Sequence, residues 1–396
     1  MASEPHTIDL RDPEFWQDPY PVLRAARAQD RTARTAAGEP VLLAADDFDV
    51  AHTDAAFVQL GLEALERLGM HDGPFHEWRG RTMAAHDGDV HTRLRGTVSR
   101  AFTPRRVEPL RESLRRHARR TLDELSSSGE LDLVDYARDL PLWLICEFLG
   151  LPQDARVEID GFLAGTEEAF AEPLTTEARR HAEDGIVALS RFVANLVVAR
   201  EAEPEEDLVT DLLDAERAGL LDRAELVALA VNVIGGAVGS SRAAIANSLL
   251  VLLHHPEQAR WVSADHDRIG AAVEECLRFH PPFRSGRRKT TIAVTRFGID
   301  LPAGATVFLA RQAANRDPRR WRDPDRFDVR RSVERHYSFG YGPHFCLGQA
   351  LARLDVQESV WAFLAATPRA RLVTTEPRRV PFTPDEQLES VVVAYD

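Results

Sequence analysis

The residue of this chain best placed to do chemistry is a cysteine in a glycine-broken turn. It lies in Phe339-Gly340-Tyr341-Gly342-Pro343-His344-Phe345-Cys346-Leu347-Gly348. Gly340 and Gly342 admit backbone conformations that larger residues resist, and Pro343 stiffens the turn. Gln349-Ala350-Leu351-Ala352-Arg353-Leu354 follows and reads as the start of an amphipathic helix. Amides in such a turn, and at the helix N-terminus, point toward the sulfur, lower its pKa and hold a thiolate. A thiolate held this way is a nucleophile or a metal ligand. An isolated buried cysteine ahead of a helix is also an ordinary packing residue, so the rest of the chain must decide.

Other groups are spaced for chemistry. His91 and Arg95 stand at i, i+4 and share one helix face, where paired cations suit an anionic group. Glu275 and Arg278 stand at i, i+3 and can pair directly. The apolar run Ala224 to His254 predicts a long helix containing Gly235-Gly236-Ala237-Val238-Gly239-Ser240-Ser241, whose glycines let a ligand approach closely. Between Gly61 and Asp89 no period is visible, and Phe75, Trp78 and Met83 fall in that stretch.

Phe-Gly-x-Gly-x-x-x-Cys-x-Gly resembles the cysteine loop of the haem-thiolate monooxygenases, the cytochrome P-450 superfamily. The resemblance spans about residues 80 to 360 through five elements in order. They are the His91/Arg95 block, the glycine-rich helix, Glu275-Cys276-Leu277-Arg278, Ala314-Asn315-Arg316-Asp317-Pro318 and the cysteine loop. It implies a mainly α prism with small β-sheets. Haem b would lie between the long helix and the loop, with Cys346 as axial ligand and Phe339, Gly340 and Gly348 framing it. His91, Arg95, Arg287 and His344 would hold the haem propionates, with Arg288 competing for the role of Arg287. Glu275, Arg278 and Arg316 would form a structural charge network. Phe75, Trp78, Met83, Gly236, Val238, Phe283 and Ser285 would face the substrate.

The chain departs from the family twice. Gly88 and Asp89 stand where a Pro pair is common, which predicts a looser start to the His91 helix. On the long helix the family carries an acid followed by a threonine, which help deliver protons. Counting back from Pro256, Ser240 takes the threonine's place and Gly239 the acid's. A register one residue later puts Ser241 and Ser240 there, and neither restores a carboxylate. The missing acid leaves open hydroxylation, oxidative coupling as in members acting on cyclodipeptides, and a peroxide-driven reaction. A non-catalytic haem carrier or sensor is the alternative of another class.

The totals agree with a single soluble domain over residues 1–396. At 44% hydrophobic the chain can build a large core. Its net charge of -14 argues against nucleic acid and anionic membrane as partners. Cys146, Cys276 and Cys346 are far apart and in no CxxC pairing, which fits a reducing cytoplasm. The N-terminus has no apolar targeting segment, and the apolar window Leu226 to Gly239 is too short to span a bilayer. Helices dominate to about residue 280, and strands are expected at Thr290–Thr295, Thr306–Ala310 and Ser390–Ala394. The arginines at 105, 106, 115, 116, 119 and 120 suit docking of an acidic ferredoxin, supplied by a ferredoxin reductase. The aromatic residues around Phe75 point to a bulky, partly aromatic small-molecule substrate of secondary metabolism.

Overall fold

The structure is a computed structural model and describes residues 6–125, 129–170, 173–332 and 335–395. Its axis is the helix Arg223–Leu253. The sequence writes the start of this helix. The Asp222 side chain accepts the Glu225 amide at 2.7 Å, and the Glu225 carboxylate accepts the Asp222 amide at 3.1 Å. This capping box satisfies two donors that the first turn leaves free. The helix then runs 31 residues without proline. It is longer than the apolar window read from the sequence, because it passes straight through Gly239 and Ser240. By length and mean hydropathy alone it would qualify to cross a membrane.

Here it crosses the protein instead. A helix apolar on every face has to be buried, and the helices Leu133–Leu149, Thr176–Ala202, Ile269–Phe279 and Gln349–Ala366 pack around it. Its first half puts Leu226, Leu229, Ile234 and Val238 into one core, and its second half puts Ile245, Leu249 and Leu252 into another. Each such side chain contributes about 1.5–3 kcal/mol on leaving water.

The main sheet has six short strands in the order Thr7–Ile8, Thr32–Thr35, Pro40–Leu42, Thr306–Ala310, Ser285–Thr290, Phe57–Val58. Thr306–Ala310 lies where the sequence put it. The strand expected at Thr290–Thr295 instead ends at Thr290, and a separate pair joins Val294–Arg296 to Ile299–Leu301. A third sheet carries Val392–Ala394 beside Glu130–Asp132. Antiparallel pairing sets Arg287 opposite Phe308. Because side chains alternate along a strand, Arg287 and Arg288 point to opposite faces. The aperiodic stretch from Gly61 to Asp89 holds three pieces, Glu63–Glu66, Pro74–Arg79 and the 3-10 turn Met83–Ala85.

Candidate functional site

Backbone geometry builds the cysteine loop. Gly340 (φ 72) and Gly342 (φ 67) are both left-handed. A Cβ at 342 would lie 2.5 Å from the carbonyl oxygen of His52, so only glycine lets the loop press against the end of the helix Ala45–Thr53. The Cys346 amide donates to the Phe339 carbonyl at 2.8 Å and closes the loop. Gln349–Ala366 then carries the chain away. Burial pushes the Cys346 thiol up, against the Gly348 amide and the fields of Arg95, Arg311 and Arg353. The turn amides alone therefore do not produce the low-pKa thiolate expected from the sequence. A metal on the sulfur would, since coordination deprotonates a thiol outright.

Cys346 opens on a cavity of about 440 Å³. Phe339, Gly340 and Gly348 line it on the loop side, and Gly236, Ala237, Ser240, Ser241 and Ala244 line it from the central helix. Met83, Phe283 and Ser285 close its margin. Of the substrate-pocket and central-helix candidates, four do not line it. Phe75 and Val238 are wholly buried in the core. The Phe75 ring packs edge-on against Trp78 at 5.1 Å, and the Trp78 indole N–H donates to the Ala228 carbonyl at 3.2 Å. These aromatics brace the Pro74–Arg79 helix against the central helix. Gly239 faces away from the cavity, toward Asp385 and Glu167.

Beside the loop, positive groups collect. His91 is buried with its ring 4.1 Å from that of His344. His344 Nε2 meets Asp87 at 2.7 Å, and Asp87 also accepts the Gln59 amide at 2.8 Å. Asp87 stands at the N-cap of the Gly88–Ser99 helix without a side-chain capping bond, and its contact with His344 ties that start to the cysteine loop without the family's prolines. Arg95 donates to the Phe345 carbonyl at 2.7 Å. Arg288 donates to the Gln59 side chain at 2.9 Å, and Arg311 to the Phe283 carbonyl at 2.9 Å. Burial and neighbouring cations push His91 down to about 4 and His52 to about 3. Burial pulls Arg288 and Arg311 down to about 10. Among the described residues Arg311 Nε has no partner. Such a cluster is destabilised until an anion enters it.

Haem b, with two carboxylates and an iron facing Cys346, fits this arrangement. Arg287 also borders the cavity, but its guanidinium lies over Phe308 at 5.2 Å and 3.6 Å from Glu39. Arg288 therefore suits the propionate role better than Arg287, and His344 meets that role only with the nitrogen that Asp87 leaves free.

The charge network forms with one change of member. Arg278 clasps both oxygens of Glu275 at 2.7 and 2.8 Å and donates to the Asn315 and Pro324 carbonyls. The third member is Arg331, whose Nε lies 3.1 and 3.2 Å from the Glu275 oxygens. Arg316 does not reach Glu275. It lies between the rings of Tyr20 and Phe279, at 3.4 and 3.8 Å, and meets Asp325.

The basic run is likewise largely neutralised. Arg106, Arg115, Arg116, Arg119 and Arg120 pair with Asp211, Glu358, Glu112, Asp123 and Glu124. Sequence reasoning missed His52, Arg311 and Asp355, which all line the cavity. No local pattern marks them, since each is brought there by packing between distant elements.

A buried cation cluster, a cavity-facing cysteine and a glycine-rich wall opposite define a haem-thiolate protein. The Cytochrome P450 family profile matches residues 168–365. "Cytochrome P450 107B1" from Saccharopolyspora erythraea is 36% identical over 75% of this chain and 72% of its own length. "Vitamin D(3) 25-hydroxylase" from Pseudonocardia autotrophica is 33% identical over 92% of this chain and 90% of its own. The crystal structure of CalO2 superposes with a TM-score of 0.93 at 29% identity, covering 98% of this chain and 99% of that one. The cytochrome P450 enzyme CxnD, for C-S bond formation in chuangxinmycin biosynthesis, gives 0.87 at 26% identity, covering 99% and 98%. The chain belongs to the cytochrome P-450 family and is a haem b-binding oxidoreductase of that type.

Proposed function

We propose that this enzyme tailors a bulky, partly aromatic secondary metabolite, using dioxygen and electrons passed from a ferredoxin reductase through a ferredoxin. One observation carries the substrate class. A second cavity, of about 1030 Å³, adjoins the haem cavity and shares Gln59, Phe283, Ser285, Gly286 and Arg287 with it. Trp16, Phe170, Phe308 and Phe382 line its far side. Aromatic rings of substrate gain both area burial and ring–ring contact on such walls. Met83, Phe283 and Ser285 serve as the substrate-facing residues at the junction, and Gly236 leaves room against the central helix.

The reaction is oxidative coupling or hydroxylation, with a cyclodipeptide within the substrate class. Coupling is supported by similarity to an enzyme named for bond formation. The three cysteines are free, which suits a cytoplasmic setting. The whole chain acts as one haem-binding unit. The test is turnover of metabolites that shift the Soret band, under isotopically heavy dioxygen. A coupled product without label is expected. A labelled new hydroxyl rejects coupling, and turnover with peroxide but none with ferredoxin and its reductase rejects the ferredoxin route.

A further inference from the structure

Two carboxyls converge on the central helix at the residue where an acid is absent. Gly239 is buried, and a Cβ built on it would lie 2.7 Å from Asp385 Oδ2 and 3.0 Å from Glu167 Oε1. Oxygens from two other elements thus fill the space that a side chain at 239 would claim. Glu167 comes from the last turn of Arg156–Glu168. Asp385 comes from the segment bridged to Phe283, which lines the haem cavity.

The surroundings favour a retained proton. Asp385 is buried, and its Oδ1 has no hydrogen-bond partner among the described residues. Arg284 and Arg311 face it without pairing: Arg284 lies over Trp16 at 5.1 Å, and Arg311 donates to the Phe283 carbonyl. Glu167 faces Arg242, Asp160 and Gln387, but Arg242 is already spent on Asp160 at 2.5 Å and the Arg138 carbonyl at 2.7 Å. Two carboxyls that meet at one Cβ position, Asp385 buried and Glu167 half-buried with Gln387 as its hydrogen-bond donor, cannot both ionise cheaply.

We propose that Glu167 and Asp385 share one proton and serve this chain as the acid that feeds protons to the cavity beside Ser240. The inference rests on the haem-thiolate reading. A proton leaves the pair toward Ser240, whose hydroxyl takes it and releases its own into the cavity. The pair, now doubly ionised, regains a proton from solvent through Glu167, the more exposed partner. No electrons move in this relay; they come from the ferredoxin. Asp385 agrees, being pushed by burial and then by Glu167 up to about 7, and burial raises Glu167 as well. Ser240 follows Gly239 on the central helix, so the pair stands at the neighbouring position, brought there from elements 73 and 145 residues away from Ser240 in sequence.

Infrared difference spectra of the haem-loaded enzyme across pH test the pair directly. Two losses of protonated-carboxyl absorption are expected in the native protein, one around pH 7 from the pair and one nearer pH 8 from Asp355, and only the first should vanish in Glu167→Gln/Asp385→Asn. With ferredoxin, its reductase and no substrate, reductant consumption in the double variant should drop by about tenfold or more and lose its fall at alkaline pH. Adding Gly239→Asp to the double variant should restore the rate, and adding Gly239→Ala should not. A native enzyme without the loss around pH 7, or a double variant with the native pH profile, overturns the proposal. The reduced carbonyl spectrum of each protein keeps this separate: a native enzyme lacking the thiolate signature refutes the haem-thiolate reading instead.

Discussion

At Cys346 the surroundings separate the readings that the loop leaves open. A nucleophile needs a lowered pKa and a neighbouring base, whereas burial raises this thiol and its neighbours are arginines. A ligand needs a cavity on the sulfur side and charges for the rest of the cofactor, and both are present. Cys346→Ser should therefore remove the thiolate signature from the reduced carbonyl spectrum while leaving far-UV circular dichroism unchanged. A second test separates two adjacent arginines. Arg288→Gln should weaken haem retention by about tenfold or more, since a buried charge-assisted contact is worth ~1.5–3 kcal/mol. Arg287→Gln should change it by less, with haem loss to apomyoglobin as the measurement. Residue chemistry was legible where partners lie close in sequence, as for Glu275 and Arg278. It was not legible for Arg331, which reaches Glu275 only because the chain turns at Asp328, whose amide also donates to Glu275. Glu275→Gln leaves Arg278 and Arg331 facing no charge and should destabilise by about 3–5 kcal/mol in denaturant unfolding.

Elements were read most faithfully where one turn of sequence holds its own stop signal. Thr306–Ala310 carries the expected limits, and the central helix begins within a residue of expectation because Asp222 and Glu225 announce it. Asp222→Ala removes one half of that capping box and should cost ~1 kcal/mol, read as a lowered urea midpoint with unchanged slope. The wall composition was harder to read. Phe75 and Val238 have the residue types of a pocket but lie in the core, because one strand of sequence does not reveal which face of a helix meets a void and which meets a neighbour. The partners of the basic run were hidden for the same kind of reason. The arginines were visible, but the carboxylates that neutralise Arg106 and Arg115 come from 105 and 243 residues away.

Across the whole molecule, burial shifts carboxyls and imidazoles in opposite senses, and their sum sets the pH range of stability. Asp355 is pushed up to about 8 and Asp385 to about 7. Between about pH 4 and those values the folded state holds protons that the unfolded chain has lost, so both groups make stability fall as pH rises. His52 and His91, held down at about 3 and 4, do the reverse: between those values and about 6.5 the unfolded chain holds the extra protons, so stability rises with pH. The two effects offset each other up to about pH 6.5, where the histidines are neutral in both states. Above that only the carboxyls remain, and stability should fall by about 2 kcal/mol on the way to pH 8. Below about pH 4 a further loss sets in as Glu274, held near 2 by His336 and Arg353 against its burial, takes up a proton. Thermal melts of the haem-free protein should thus show a plateau that ends near pH 6.5. Asp355→Asn should remove most of the alkaline fall, since Asn keeps the shape of the side chain without a charge to bury. A variant that melts with the native alkaline slope would place the cost on some other group.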